Sequence, residues 1–309
     1  MYRYVVRRLL QLIPTLLGVA IITFLVMKAT PGGPFDSAGL GKRASPEVVA
    51  TLNAKYGLDQ PLPVQFVRYV AHALRGDFGV SIQVQQDTPV GTIIKQGLGK
   101  TVTLGVLALL LILLVSIPLG VIAALRQNRA ADYVSLLIAT GGASIPNFVL
   151  AILLVILFSV KLHLIPTQGW GTPKLAILPV ITLAFTPLAF LTRITRSSML
   201  DALNQEYVQT ARAKGLPERA VVIRHMLRNA LIPVATVAGP LTAGLLTGSF
   251  IIENVFSIPG IGRLYLESIQ QRDYPVIMAT TLLYAVILMF ANLIVDLLYG
   301  VIDPRVRYS

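Results

Sequence analysis

The 309-residue chain contains no cysteine, which excludes disulfides, thiolate metal sites and cysteine nucleophiles. Charge is also scarce. Asp, Glu, Lys and Arg make up 13% of the residues, against about 25% in soluble domains. Acids are rarer than bases, 14 against 26, and there are three histidines and one tryptophan. Apolar residues fill the gap, at 55% with a mean hydropathy of +0.73. A chain of this kind lacks the polar surface to dissolve, so a soluble enzyme, a DNA-binding module and a disordered chain are excluded. The net charge of +12 and pI of about 10.1 invite a nucleic-acid reading. The placement of the basic residues argues for a membrane instead.

Six apolar runs approach the roughly 20 residues that cross a bilayer, near 9–28, 101–125, 134–160, 175–194, 229–252 and 276–301. The first, Leu9 to Met27, is longer than a signal-peptide core of about 7–15 residues. No small-x-small cleavage site precedes the turn Thr30-Pro31-Gly32-Gly33-Pro34. It reads as an anchor. The third run is long enough to tilt, and Pro146 is placed to break it. With the N-terminus in the cytoplasm, the inside segments are 1–8, 126–133, 195–228 and 302–309. Together with Arg193 they hold 14 of the 26 Lys and Arg. The longer outside segments hold 12. This basic bias sets an orientation with both termini inside, and no nucleic-acid partner is implied.

The reading is an all-α, polytopic membrane protein with six transmembrane helices and a small helical extracytoplasmic domain. The divisions are 1–28 (a basic segment and the first span), 29–100 (the outer domain) and 101–309 (a five-span core). In the outer domain, Ser45-Pro46-Glu47 and Gly57 bracket one helix and Pro63 to Leu74 form a second. Seven prolines fall in or beside spans: Pro14, Pro118, Pro146, Pro179, Pro187, Pro233 and Pro240. Each costs a helix hydrogen bond that neighbouring groups must offset in lipid. The fifth span carries Gly239, Gly244 and Gly248. Gly244-x-x-x-Gly248 suits close helix packing along a seam. Asp296 lies in the sixth span, one turn after Asn292, where a carboxylate is costly. It is expected to face protein or water, with Arg193 or Arg196 as its basic partner.

Catalytic motifs fail on inspection. Gly99-Lys100-Thr101 ends like a phosphate-binding loop, but Ile94 stands where its first glycine is required. Gly260-Ile261-Gly262 is followed by Tyr265 where a dinucleotide fingerprint needs glycine or alanine. His72, His163 and His225 have no ligand spacing, and no serine sits in a Gly-x-Ser-x-Gly elbow. The chain reads as a non-enzyme that binds no metal or cofactor of its own. Any uphill transport needs work from a partner.

The inside segment 195–228 is the most patterned. Asn204 is placed to cap a short helix with Glu206 in its first turn and Arg212 and Lys214 in its last, matching the helix dipole. Gly215 supplies a left-handed stop, and Pro217 begins the next helical stretch. This is the form of a docking lug for a cytosolic protein. The run Glu206-Tyr207-Val208-Gln209-Thr210-Ala211-Arg212-Ala213-Lys214-Gly215-Leu216 resembles the coupling loop of binding-protein-dependent ABC importer permeases. More narrowly it is similar to the dipeptide/oligopeptide/nickel family, in the manner of the first of the two dipeptide permease subunits. Tyr4 to Leu10, LNAKYGLDQPLPVQF, GDFGVS, IIENVFSIPGIGRL and Asp303-Pro304-Arg305-Val306-Arg307 agree with it. One departure is clear. The general importer loop has Glu-Ala-Ala where this chain has Gln209-Thr210-Ala211, so no role for a glutamate at 209 carries over.

The resemblance implies a type I importer permease in a bacterial inner membrane, forming half of a pore for dipeptides or short oligopeptides. It implies a homologous second permease, two cytosolic ATPases holding ATP and Mg²⁺, and an extracytoplasmic substrate-binding protein. The ATPase-coupling residues are then Glu206, Tyr207, Thr210, Ala211, Arg212, Ala213, Lys214, Gly215 and Leu216. Nickel or another small solute is the alternative cargo. An ion-coupled secondary transporter would need acids near the midplane, and Asp296 is the one acid offered. A membrane enzyme would need a nucleophile, metal or acid pair.

Overall fold

The computed structural model describes residues 2–35 and 46–302. These fold into helices, and the strand-like pairing among them is one bridge between Val80 and Pro89. In order they are α1 (Tyr2–Ala29), α2 (Pro46–Tyr56), α3 (Leu62–Ala73), α4 (Val90–Leu125), α5 (Ala130–Ser144) and α6 (Asn147–Leu154). A π-helical turn, Val155–Lys161, extends α6. Then come α7 (Pro173–Leu203), α8 (Glu206–Ala213), α9 (Glu218–Ala220), a second π turn (Val221–Leu227) and α10 (Arg228–Leu246). The chain closes with α11 (Phe250–Val255), α12 (Ile261–Gln271) and α13 (Tyr274–Ile302). The expected cap Ser45 and the segment Asp303 to Arg307 lie outside the described residues.

Five of these helices are long and apolar enough to cross a membrane: Val5–Ala29, Val90–Leu125, Pro173–Leu203, Glu218–Leu246 and Tyr274–Ile294. Large side chains such as Ile13, Ile22 and Val26 stand exposed on α1, which lipid, unlike water, does not penalise. The run read as a third span is instead two shorter pieces, α5 and the apolar helix Asn147–Lys161. Pro146 is the cause. The proline ring excludes its predecessor from the helical region, and Ile145 takes φ −94°, ψ 118°. Two other boundaries move. α4 begins eleven residues before the expected 101, and α7 continues to Leu203, because hydropathy falls at Lys95, Lys100, Arg193 and Arg196 while the backbone ladder runs on.

The chain divides into two compact units. One comprises residues 1–101 and 259–289. In it, Val90, Ile93 and Ile94 of α4 pack with Ile261 and Leu264 of α12 and with Val276 and Ala279 of α13. Phe24 and Met27 of α1 pack with Tyr274 and Met278 of α13. The fully buried Asp273 ties the loop after Gly79 to the start of α13. Its Oδ2 accepts from the Ser81 hydroxyl and from the N–H groups of Ile82, Gln83 and Val84 at 2.9 to 3.1 Å. Oδ1 accepts from Val276 N–H as an N-cap. Four donors on one oxygen are what a buried carboxylate requires.

The other unit comprises residues 102–258 and 290–309. α7 is its spine, meeting α5, α6, α10 and α11. Leu104, Ala108 and Ile112 of α4 join Leu178, Leu183 and Leu191 of α7 and Val234 and Leu245 of α10 in its core. Two glycines set the spacing. A Cβ on Gly105 would lie 2.5 Å from the Leu245 carbonyl oxygen, and one on Gly120 would lie 2.5 Å from Thr195 Cβ. Thr182, Thr192 and Thr195 return their hydroxyls to carbonyls four residues back, satisfying polar groups inside an apolar core.

Candidate functional site

The segment between α7 and α10 folds as a short lever. α8 begins after Gln205, whose extended backbone (φ −80°, ψ 145°) turns the chain out of α7. Asn204, expected to cap α8, instead closes α7, and its Nδ2 donates to the Leu200 carbonyl at 3.4 Å. The physical reason is the longer α7, which ends at Leu203 and takes Asn204 as its C-cap. Glu206 alone complements the start of α8. The other end is as expected. Gly215 has φ +73°. Leu216 N–H donates to the Ala211 carbonyl and Gly215 N–H to Arg212, the paired bonds of a Schellman stop.

Val208 and Ala211, three residues apart and on one face, are buried. They pack with Met199 and Ala202 of α7, with Val221, Val222 and Met226 of the second π turn, and with Ala124 of α4. Ala211 was expected on the docking face and is turned inward instead. An alanine here matters for close packing. The exposed residues are Glu206, Tyr207, Gln209, Thr210, Arg212, Ala213, Lys214, Gly215 and Leu216. Thr210 spends its hydroxyl donor on the Glu206 carbonyl at 2.9 Å. Across the glycine turn, Arg212 forks onto Glu218, Nη2 to Oε1 at 2.6 Å and Nε to Oε2 at 3.2 Å. Both side chains are about half exposed, so the pair contributes at most about 1 kcal/mol. Its role is geometric: it fixes α8 to the start of the Glu218–Leu246 rod.

Arg196 and Arg193, expected near Asp296, have other neighbours among the described residues. Arg196 is engaged by Asp132 of α5, Nε to Oδ1 at 2.5 Å and Nη2 to Oδ2 at 2.8 Å. The Asn128 N–H adds a third bond at 2.9 Å. Asp132 is 2% exposed at its side chain. The Arg196 hydrogen bonds, helped by that N–H, hold its carboxyl below the ordinary carboxylate range. Arg193 is exposed, its guanidinium 5.9 Å from the Phe190 ring centroid. Asn292 is half-buried on α13, and the Asp296 side chain lies outside the described residues. The sequence did carry a signal for Asp132: it is one of few acids on the side read as inside.

The expected glycine seam also changes. Gly239 is buried in α10. Gly244 is exposed, and a Cβ there would meet nothing within 4 Å. Gly248 lies beyond the helix with φ +85°, as a stop rather than a packing residue, so Gly244 and Gly248 do not share a helical face. Beyond the exposed Arg228 and Asn229 at its start, the exposed side of α10 reads Pro233, Thr236, Pro240 and Gly244, one stripe without a bulky side chain. The close approaches belong to Gly105 and Gly120 of α4, whose partners are distant in sequence.

Known proteins match this arrangement. The family model described as "Binding-protein-dependent transport system inner membrane component" matches residues 116–308. The corresponding N-terminal model matches residues 1–105. The dipeptide transport system permease protein DppB of Bacillus subtilis (strain 168) is 44% identical over 308 residues, covering 99% of this chain and 98% of that protein. The oligopeptide transport system permease protein OppB of Escherichia coli (strain K12) is 40% identical over 311 residues, covering 100% of both. In the solved structures, the inward-facing MetNI methionine ABC transporter aligns over 68% of this chain and 96% of its own. The TM-score is 0.56 at 17% identity, which establishes a shared fold.

Proposed function

The chain belongs to the family of binding-protein-dependent transport system inner membrane components, and on that premise we propose that it imports dipeptides or short oligopeptides through a pore driven at α8. It is a multi-pass ABC importer permease of the inner membrane, not the catalytic subunit, and works with ATPase and substrate-binding components. The finer assembly follows the same reading. A homologous second permease completes the pore, two cytosolic ATPases hold ATP and Mg²⁺, and a binding protein delivers substrate from outside. Both termini are cytoplasmic. The names of the relatives favour peptides over nickel as cargo.

The observation that carries the coupling role is the double fastening of α8. Its inner face is buried against α7 and the second π turn, and its Arg212 is forked onto Glu218. Its outer face offers Glu206, Tyr207, Thr210, Arg212, Ala213 and Lys214 to a partner. A load on that face reaches two membrane-crossing helices at once. The smooth stripe of Pro233, Thr236, Pro240 and Gly244 supports a moving or solute-lined face on α10.

Because the chain has no cysteine, single cysteines test the docking face. Ala213→Cys should crosslink to an ATPase in the assembled complex, with a yield that changes between nucleotide-free and ATP-bound states. Ala211→Cys, being buried, should not crosslink. Failure at Ala213, with the complex intact by copurification, rejects the docking assignment.

A further inference from the structure

In the unit formed by residues 1–101 and 259–289, a cavity of about 450 Å³ opens at the C-terminal end of α1. Its floor is apolar and comes from membrane-spanning helices: Phe24 and Met27 of α1 and Met278 of α13. Its rim comes from the end of α1, from α2 and α3 and from the loop after α3, and carries Lys28, Lys55, Arg68, His72 and Asp77. An apolar floor of spanning helices under a charged rim is the shape of an amphiphile site.

The charges on that rim do not cancel. Asp87, beside the rim, is taken by Lys55 Nζ at 2.8 Å and the Tyr56 hydroxyl at 2.9 Å. Asp77 is taken by His72 Nδ1 at 2.9 Å and the Gly79 N–H at 2.9 Å. Both carboxyls are held below their ordinary range, chiefly by the Lys55 bond at Asp87 and the His72 bond at Asp77. Lys28 and Arg68 have no carboxylate partner among the described residues. The Lys28 ammonium sits 4.8 Å from the Tyr274 ring centroid and 5.8 Å from that of Phe24. Aromatic faces hold a cation in place without neutralising it. The Tyr69 hydroxyl, also on the wall, is shut off from solvent without a hydrogen-bond partner, an unfavourable state for a buried donor.

We propose that this cavity holds the phosphate of an anionic phospholipid between Lys28 and Arg68, with the first methylenes of its chain along Phe24, Met27 and Met278. Two features select this ligand over a peptide in transit. A zwitterionic peptide needs an acceptor for its ammonium, and both nearby carboxylates are engaged. The apolar floor belongs to spanning helices, where a lipid is always at hand. Free phosphate shares the headgroup chemistry but makes no use of the floor.

The test uses the full chain in its assembled transporter, with Val80→Cys as the sole cysteine carrying an environment-sensitive fluorophore. Val80 lines the cavity and is exposed enough to label. The complex is placed in phosphatidylcholine nanodiscs with increasing phosphatidylglycerol. The emission should shift saturably with phosphatidylglycerol. It should need about tenfold more lipid in a Lys28→Gln, Arg68→Gln variant, corresponding to about 1.4 kcal/mol. Lys28→Arg with Arg68→Lys should restore the response, which separates charge from folding. An equal response in the wild type and the glutamine variant overturns the site. Displacement of the lipid signal by inorganic phosphate alone, or by a dipeptide, overturns the lipid assignment in favour of that ligand.

Discussion

Gly215 separates strain from docking better than any other position. Its φ of +73° is a left-handed conformation in which a residue with a Cβ costs about 1–2 kcal/mol. A Cβ added there meets nothing within 4 Å, so no clash adds to that figure. The turn keeps its two Schellman bonds, and α8 remains held by the burial of Val208 and Ala211 and by the Arg212–Glu218 fork. The strain therefore stays local and cannot unfold a chain of this size. Gly215→Ala should insert normally and transport near the wild-type rate. Gly215→Asp adds similar strain plus a carboxylate on the exposed rim beside Lys214. It should insert and assemble normally, keep ATP hydrolysis, and lose at least about tenfold in transport, a loss of about 1.4 kcal/mol in coupling. Gly215→Asn is the control, since asparagine tolerates the left-handed region yet carries the same bulk. The assay is peptide uptake and ATP hydrolysis in proteoliposomes with binding protein present. Normal uptake by Gly215→Asp would show that α8 does not dock through this turn. A loss proportional to the amount of inserted protein would reduce it to a folding defect.

Other substitutions probe the two buried carboxylates. Asp132→Ala strands Arg196 and should destabilise the unit by about 3 kcal/mol, the low end for a buried pair because Arg196 keeps some solvent contact, read as a lower apparent Tm in detergent. An Arg196→Met, Asp132→Leu double variant should recover most of that loss; an additive result would mean the two side chains do not interact. The carboxyl of Asp132 is held below its ordinary value, so its contribution is complete above the unfolded carboxylate pKa near pH 4. It should fade as pH falls from there through the lower folded value. A flat stability profile for the wild type relative to Asp132→Asn between pH 5 and pH 3 would contradict this. Asp273→Ala removes the acceptor of four donors at one oxygen and should cost about 1–3 kcal/mol for each donor left buried and unpaired, whereas Asp273→Asn, which keeps one carbonyl oxygen, should cost less. Limited proteolysis between Gly79 and Val84 would read the loosened loop, and equal protection in both variants would refute the latch.

Local chemistry was legible at several positions that one residue decides, though not at Asn204, whose place depends on where α7 ends. Gly215 announced its positive φ by following a charge-ordered helix, and Pro146 announced a break in the third apolar run. Features that depend on a distant partner were not legible. Gly105 and Gly120 resemble ordinary glycines in an apolar helix until Leu245 and Thr195 are brought against them. The same small-residue pattern misled at Gly248, where φ +85° rather than helix contact requires glycine. Arg196 gives no local sign that Asp132 engages it. Its partner lies 64 residues away on α5. Span limits slipped for another reason: hydropathy marks where lipid ends, and the helical backbone of α4 and α7 does not stop there.

The second π turn gives the coupling segment its remaining property. Val221–Leu227 stands between α8 and α10, and Val221, Val222 and Met226 are the residues that receive the buried face of α8. A π turn holds an extra residue in the ladder and is less well bonded than α-helix, so it yields before its neighbours do. Motion applied to α8 should accordingly change the pitch of this turn before it displaces α10. Ile223, 51% exposed, is the residue to remove. Its deletion lets the turn relax to regular α-helix while the flanking segments keep their register. The deletion variant should insert and unfold at close to the wild-type temperature, bind ATPase, and hydrolyse ATP, yet transport poorly, because the lever now meets a stiff rod. Unchanged uptake by that variant would assign the π turn a purely structural role. A large drop in thermal stability would show that the extra residue serves the packing of Val222 and Met226 instead.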